Sequence, residues 1–158
     1  MHVAFRCPAR QSIHARRLRP VLTISSKGVF SMKKNLNTVN APAAIGPYAQ
    51  GVAAGNMVFV SGQLPIDPAT GAFAEGGVGA ETTQSMKNIA AILAEAGCTL
   101  ADVVKTTIFL RDLNDFAAVN EAYAAFFPAN PPARACVQVA RLPKDANVEI
   151  EAIAVKNA

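Results

Sequence analysis

The amino-acid sequence predicts an α+β domain in which two helices pack on one face of a mixed β-sheet. Three observations predict it. Apolar residues recur at helical spacing in two stretches, 81–96 and 114–127. Five shorter stretches carry β-branched residues or period-two alternation. The elements run β-β-α-β-α-β-β, an order that suits a mixed sheet with its helices gathered on one side.

Each element has a local reason. Gly55-Asn56 joins strands at 51–54 and 57–61, and both residues tolerate the positive φ of a tight hairpin. Met57, Phe59 and Ser61 share one face of the second strand, and Val58 and Val60 share the other. An extra edge strand is expected near 37–39. Gly76-Gly77 and Gly79 lead into the first helix, where Met86, Ile89, Ala90 and Leu93 form the apolar stripe and Gly97 serves as C′ residue. Residues 103–110 are β-branched and read as a strand. Asn114 is the expected N-cap of the second helix, whose stripe is Phe116, Val119, Tyr123 and Phe126. Pro128, Pro131 and Pro132 stop it. Two strands, 134–140 and 148–155, complete the chain.

Charge is unevenly spread along the 158 residues. Six of the fifteen basic residues, and no acid, lie in 1–31, which leaves nine basic against eleven acidic residues in 32–158. The basic character belongs to the N-terminal stretch, so 32–158 lacks the positive surface that nucleic-acid binding requires. Residues 1–31 are set apart from the domain of 32–158. They read as over-extended translation ahead of a true start at Met32, or as a disordered or mitochondrial transit segment. No apolar run is long enough to span a membrane.

Both histidines, His2 and His14, lie in that N-terminal stretch. The domain therefore lacks the commonest general base and metal ligand. Its two cysteines, Cys98 and Cys136, are far apart in sequence, which points away from a zinc site or a disulfide framework and toward a reducing compartment.

Two charges, Arg134 and Glu149, are set in apolar strands. A buried charge is costly unless paired. Arg134 is either a structural partner of Glu149 or Glu151, or an anchor for a ligand carboxylate, which its planar fork fits. Period two puts Arg134, Cys136, Gln138 and Ala140 on one strand face, and Ala135, Val137 and Val139 on the other. The second set is expected to meet the helices. The Arg134 face would then point away from them. Cys136, Ala140, Ile153 and Val155 make that face apolar enough to need cover by another subunit.

Several segments taken in order resemble the RidA/YjgF family, also known as L-PSP or enamine/imine deaminases. They are Ala43-Ala44-Ile45-Gly46-Pro47-Tyr48-Ala49-Gln50-Gly51, Val60-Ser61-Gly62-Gln63-Leu64-Pro65, Val104-Lys105-Thr106-Thr107-Ile108-Phe109-Leu110, Val119-Asn120-Glu121-Ala122-Tyr123, Pro132-Ala133-Arg134 and Val148-Glu149-Ile150-Glu151. The resemblance implies a chorismate-mutase-like α+β fold and a homotrimer with sites in the clefts between subunits. It implies hydrolysis of 2-enamino and 2-imino acids, such as 2-aminoacrylate, 2-iminopropanoate and 2-iminobutanoate, to 2-oxo acids and ammonia. The substrates would come from pyridoxal-phosphate dehydratases, in the cytoplasm or, with a genuine transit segment, in the mitochondrial matrix. No metal or organic cofactor is implied.

Carried onto this sequence, the resemblance makes Arg134 the carboxylate anchor and Glu149 the group that positions water or moves a proton. Tyr48 would lie over the ligand. Ser61 and Gly62 would line the pocket, and Asn120 would support it. At Cys136 the expected contribution is a backbone carbonyl that accepts the imine proton. The alternative for Tyr48 is a loop aromatic packing on the core, and for Ser61 and Asn120 a turn or cap role. Glu151 shares a strand face with Glu149, and periodicity does not separate the two. A non-catalytic sensor for 2-oxo acids would use the same Arg134. The ribonuclease or translation-inhibitor activity sometimes attached to this family fits poorly with an acidic domain free of histidine.

Overall fold

The computed structural model describes residues 33–156. The expectations about 1–31 lie outside the described residues. Six strands, β1 (Lys34–Leu36), β2 (Gly51–Ala54), β3 (Met57–Gln63), β4 (Val103–Leu110), β5 (Ala133–Gln138) and β6 (Val148–Val155), form one sheet. Two helices, α1 (Val78–Ala94) and α2 (Phe116–Ala124), complete the α+β architecture. The strand order is β1-β2-β3-β6-β4-β5, antiparallel throughout except for the parallel pair β4–β5.

Helix α1 is the centre of the core. Met86, Ile89, Ile92 and Leu93 are fully buried, and the same core holds Val58 and Val60 of β3, Ile108 of β4 and Ile150 of β6. Each such side chain contributes about 1.5–3 kcal/mol by leaving water. The α1 C-terminus closes as expected. Gly97 takes φ +70°, Cys98 N–H donates to Leu93 O at 3.0 Å, and Gly97 N–H donates to Ala94 O at 2.9 Å.

Local details differ from expectation at four places. The edge strand is Lys34–Leu36 rather than 37–39, because Leu36 is the residue buried in the core, while Thr38 is drawn off by Gln50. In the β2–β3 turn only Gly55 has positive φ, at +64°; Asn56 does not. The N-cap of the second helix is Asp115, which makes no side-chain cap; the cap is made one turn earlier, where Asp112 Oδ1 accepts from Asn114 N–H at 2.9 Å. Asn114 itself sits inside the 3₁₀ turn Leu113–Asp115 that precedes α2. Strand β5 stops at Gln138, although Val139 N–H still donates to Leu110 O at 2.9 Å.

The largest correction concerns the faces of β5. Arg134 pairs in register with Thr106, and Cys136 with Ile108. Thr106 and Ile108 are buried on the helix side, so Arg134 and Cys136 face the helices as well. Val137, expected to meet the helices, is exposed on the other side. Alternation groups residues into faces without saying which face is covered, and here the aromatic residues of α2 stack against the guanidinium. The uncovered sheet face is apolar all the same. Met57, Phe59 and Val137 are 38%, 40% and 43% exposed there, and Ile153 stands directly opposite Phe59.

Candidate active site

One group of the expected residues gathers where β3 meets β6. Val60 pairs with Ala152 and Gln63 with Ile150, so three steps along β3 match two along β6. This bulge re-aims the chain at Ser61 and Gly62. Gln63 is buried within it and donates from Nε2 to Ser61 O at 3.1 Å. Ser61 Oγ donates to Ala49 O at 2.7 Å and so ties the bulge to the loop that carries Tyr48.

Glu149 sits directly beside Gly62. A Cβ at Gly62 would stand 2.8 Å from the carboxyl carbon of Glu149 and would overlap Oε1. Glycine is thus the residue that leaves room for this carboxylate. Burial pushes the Glu149 carboxyl above its ordinary value, and the charge of Glu151 adds to the rise. Ile45, Tyr48, Ser61, Gly62, Leu64, Pro143 and Glu149 enclose a cavity of about 330 Å³. Half-exposed Tyr48 hangs over it from the loop, its hydroxyl oxygen accepting from Ile45 N–H at 3.4 Å.

A second group lies elsewhere. Arg134 and Asn120 line a cavity of about 430 Å³ with Tyr123, Ala124, Phe127, Pro131 and Pro132. The Arg134 guanidinium carbon is 4.8 Å from the centre of the Tyr123 ring and 5.8 Å from that of Phe116. Half-buried Cys136 packs against the core two residues further along the same strand face. Burial raises its thiol pKa, with the Arg134 charge opposing, which keeps it a protonated, poor nucleophile. Strand β5 is the sheet edge, so its outward backbone groups have no ladder partner among the described residues.

Of the two readings of Arg134, the ion pair with Glu149 or Glu151 does not form. Both glutamates belong to the opposite sheet face, since Glu149 pairs with Phe109 and Glu151 with Thr107, while buried Ile108 between them faces the helices. Arg141 and Asp145 form an ion pair at 2.7 Å on the surface.

A family model described as Endoribonuclease L-PSP matches residues 38–156. The chain belongs to this family. It is 59% identical over 128 residues to a 2-iminobutanoate/2-iminopropanoate deaminase of Salmonella typhimurium, covering 79% of this chain and 99% of that protein. The crystal structure of E. coli TdcF with bound serine matches with a TM-score of 0.76 at 51% identity, covering 78% of this chain and 99% of that one. A putative translation initiation inhibitor of Vibrio vulnificus matches with a TM-score of 0.75 at 54% identity, over 78% and 99% of the two chains.

Sequence reading missed two buried amides that shape the Glu149 cavity of this L-PSP protein. Gln50 Nε2 donates to Thr38 O, Ala41 O and Pro42 O at 3.0, 3.1 and 2.8 Å, and Gln50 Oε1 accepts from Thr38 N–H at 2.7 Å. It pins the loop that leads to Ile45 and Tyr48. Asn88 of α1 donates to Leu64 O at 3.1 Å and to Ile66 O at 2.9 Å, holding the opposite wall. A signal for Asn88 existed, since an amide adjoining the apolar helix stripe must find partners when buried. Gln50 had no comparable signal, because loop spacing does not reveal burial. Among the described residues, no group of three or more His, Cys, Asp or Glu side chains could hold a metal ion.

Proposed function

We propose that this protein hydrolyses 2-imino acids and their enamine tautomers to 2-oxo acids and ammonia. The observation that carries the reading is the division of charged groups. A guanidinium without a carboxylate partner among the described residues opens on one cavity, and a half-buried carboxylate with a raised pKa opens on another. A small anionic imine calls for both kinds of group. Relatives named as 2-iminobutanoate/2-iminopropanoate deaminases, at 59% and 56% identity, support the reaction type.

Arg134 would bind the substrate carboxylate through paired N–H donors. Glu149 would take a proton from water as the oxygen adds to the imine carbon, giving a carbinolamine. It would return that proton to the nitrogen and then accept the hydroxyl proton as the C–N bond breaks, so that the carbinolamine becomes the 2-oxo acid and ammonia leaves. For an enamine, the same carboxyl in its protonated form would first deliver a proton to the β-carbon. Tyr48 would cover the ligand, Ser61 and Gly62 would shape its pocket, and Asn120 would border the carboxylate side. A carbonyl near Cys136 on the edge strand would receive the imine N–H. Imine hydrolysis is undemanding, so orientation and one proton shuttle suffice.

The reading requires a second copy of the chain, because Arg134 and Glu149 lie on opposite sheet faces. A homotrimer with sites between subunits would bring Arg134 of one copy to Glu149 of the next. The apolar patch of Met57, Phe59, Val137 and Ile153 would be covered in the same assembly. Dehydratases that release imines would supply the substrate, in the cytoplasm. No helix among the described residues is long and apolar enough to cross a membrane. The test is ammonia release from 2-iminobutanoate generated in place by a threonine dehydratase. Acceleration by the wild type, its loss in Glu149→Gln, and ligand binding retained in that variant are expected. Undiminished turnover in Glu149→Gln would sink the mechanism. An unaccelerated wild type that still binds 2-oxobutanoate would turn the reading to a sensor.

A further inference from the structure

Arg134 is held by more than its own strand. Thr106 on β4 is its register partner, and Thr106 Oγ1 shares a 2.8 Å hydrogen bond with the Tyr123 hydroxyl of α2. The Tyr123 ring in turn lies 4.8 Å from the Arg134 guanidinium carbon. Strand neighbour, helix ring and guanidinium thus form a closed arrangement. Tyr123 is almost fully buried and also packs on Phe127, with ring centres 4.9 Å apart, so its ring has little freedom. Phe116, one turn of the family-resembling helix away from the motif that carries Asn120, adds a second ring at 5.8 Å.

From this geometry we infer that Tyr123 is a positioning residue for Arg134: its ring, fixed by Thr106, sets the plane of the guanidinium so that the donor edge meets a carboxylate in the cavity bordered by Asn120 and Pro132. The inference rests on the reading of Arg134 as a carboxylate anchor. An arginine side chain has many rotamers, and bidentate recognition needs one of them. Stacking on a fixed aromatic face attracts the cation and restricts its plane without using any N–H donor, so all donors remain available to the ligand. A carboxylate partner would restrict the side chain too, but it would also occupy the donors that the substrate needs.

The experiment uses the full chain and two probes, 2-oxobutanoate and its neutral amide, with affinities measured by titration calorimetry. The wild type is expected to prefer the acid. Tyr123→Leu is expected to lose roughly 5- to 30-fold in affinity for the acid, the range a desolvated cation–π contact supports, with affinity for the amide unchanged. Tyr123→Phe keeps the ring but loses its hydrogen bond to Thr106, and is expected to lose part of the preference, less than Tyr123→Leu. In ¹⁵N-arginine spectra the Arg134 Nε–H resonance should be displaced by ring current in the wild type and should relax in Tyr123→Leu. A folded Tyr123→Leu variant that retains the acid-over-amide preference overturns the inference. Should Tyr123→Leu fail to fold, Thr106→Val, which releases the Tyr123 hydroxyl, takes its place. An unmoved Nε–H resonance with an unchanged preference in Thr106→Val is equally fatal. A wild type that does not discriminate acid from amide, and is unaltered by Arg134→Ala, overturns the anchor reading itself. The two failures are told apart by whether the wild type discriminates.

Discussion

Arg134 and Glu149 lie on opposite faces of one β-sheet, Arg134 on the helix side through its pairing with Thr106 and Glu149 on the open side through its pairing with Phe109. A substrate touching both must therefore touch two copies of the chain. Mixing inactive Arg134→Ala and Glu149→Gln proteins in equal amounts, with subunit exchange, should restore activity. Random assembly leaves about a quarter of the clefts with both native residues. Ammonia release by the mixture checks this, and a mixture as inactive as its components would show that the two residues do not share a cleft between subunits.

Glu149 should impose a pH dependence of definite sign. Burial and Glu151 raise its pKa in the folded protein above that of the unfolded chain. Its contribution to stability is then fully present below the unfolded value and is lost as pH rises through the folded value. Glu149→Gln should gain stability relative to the wild type at neutral pH, and the gain should vanish in acid. Denaturant midpoints across that interval measure it. In kcat/KM, the acid limb should move to lower pH in Glu151→Gln, since a like charge has been removed. An acid limb unaffected by Glu151→Gln would argue that another group titrates.

Gly62→Ala should damage activity and stability together. The added Cβ overlaps the Glu149 carboxylate, and such overpacking typically costs about 1–3 kcal/mol. The carboxylate must swing away, so kcat should fall more than the stability loss explains. Denaturation curves alongside kcat separate the two effects, and a variant with wild-type kcat would contradict the placement of Glu149.

Asn88→Leu should loosen the cavity wall from a distance. It leaves Leu64 O and Ile66 O without their donor, at about 1–3 kcal/mol for each unsatisfied buried group. Since Leu64 lines the Glu149 cavity, KM should rise in the folded variant. Urea denaturation and KM for the imine report the two parts.

Much of this protein was legible before any coordinates. The two helical stripes, the five main strands and the left-handed Gly97 follow from local spacing and turn chemistry, and the motifs met in order name the seven candidate site residues. Local chemistry carries that information because side-chain period and turn residues act within a few positions. Three features depended on tertiary structure. The face of β5 that meets α2 depends on which neighbour supplies an aromatic ring, and so period two grouped Arg134 with Cys136 correctly but placed both on the wrong side. The burial of Gln50 and Asn88 depends on loops folding back over them, from 8 to 12 residues away for Gln50 and 22 to 24 for Asn88. The separation of Arg134 from Glu149 follows from the β3-β6-β4-β5 strand order, in which register, not sequence distance, fixes what each side chain can reach.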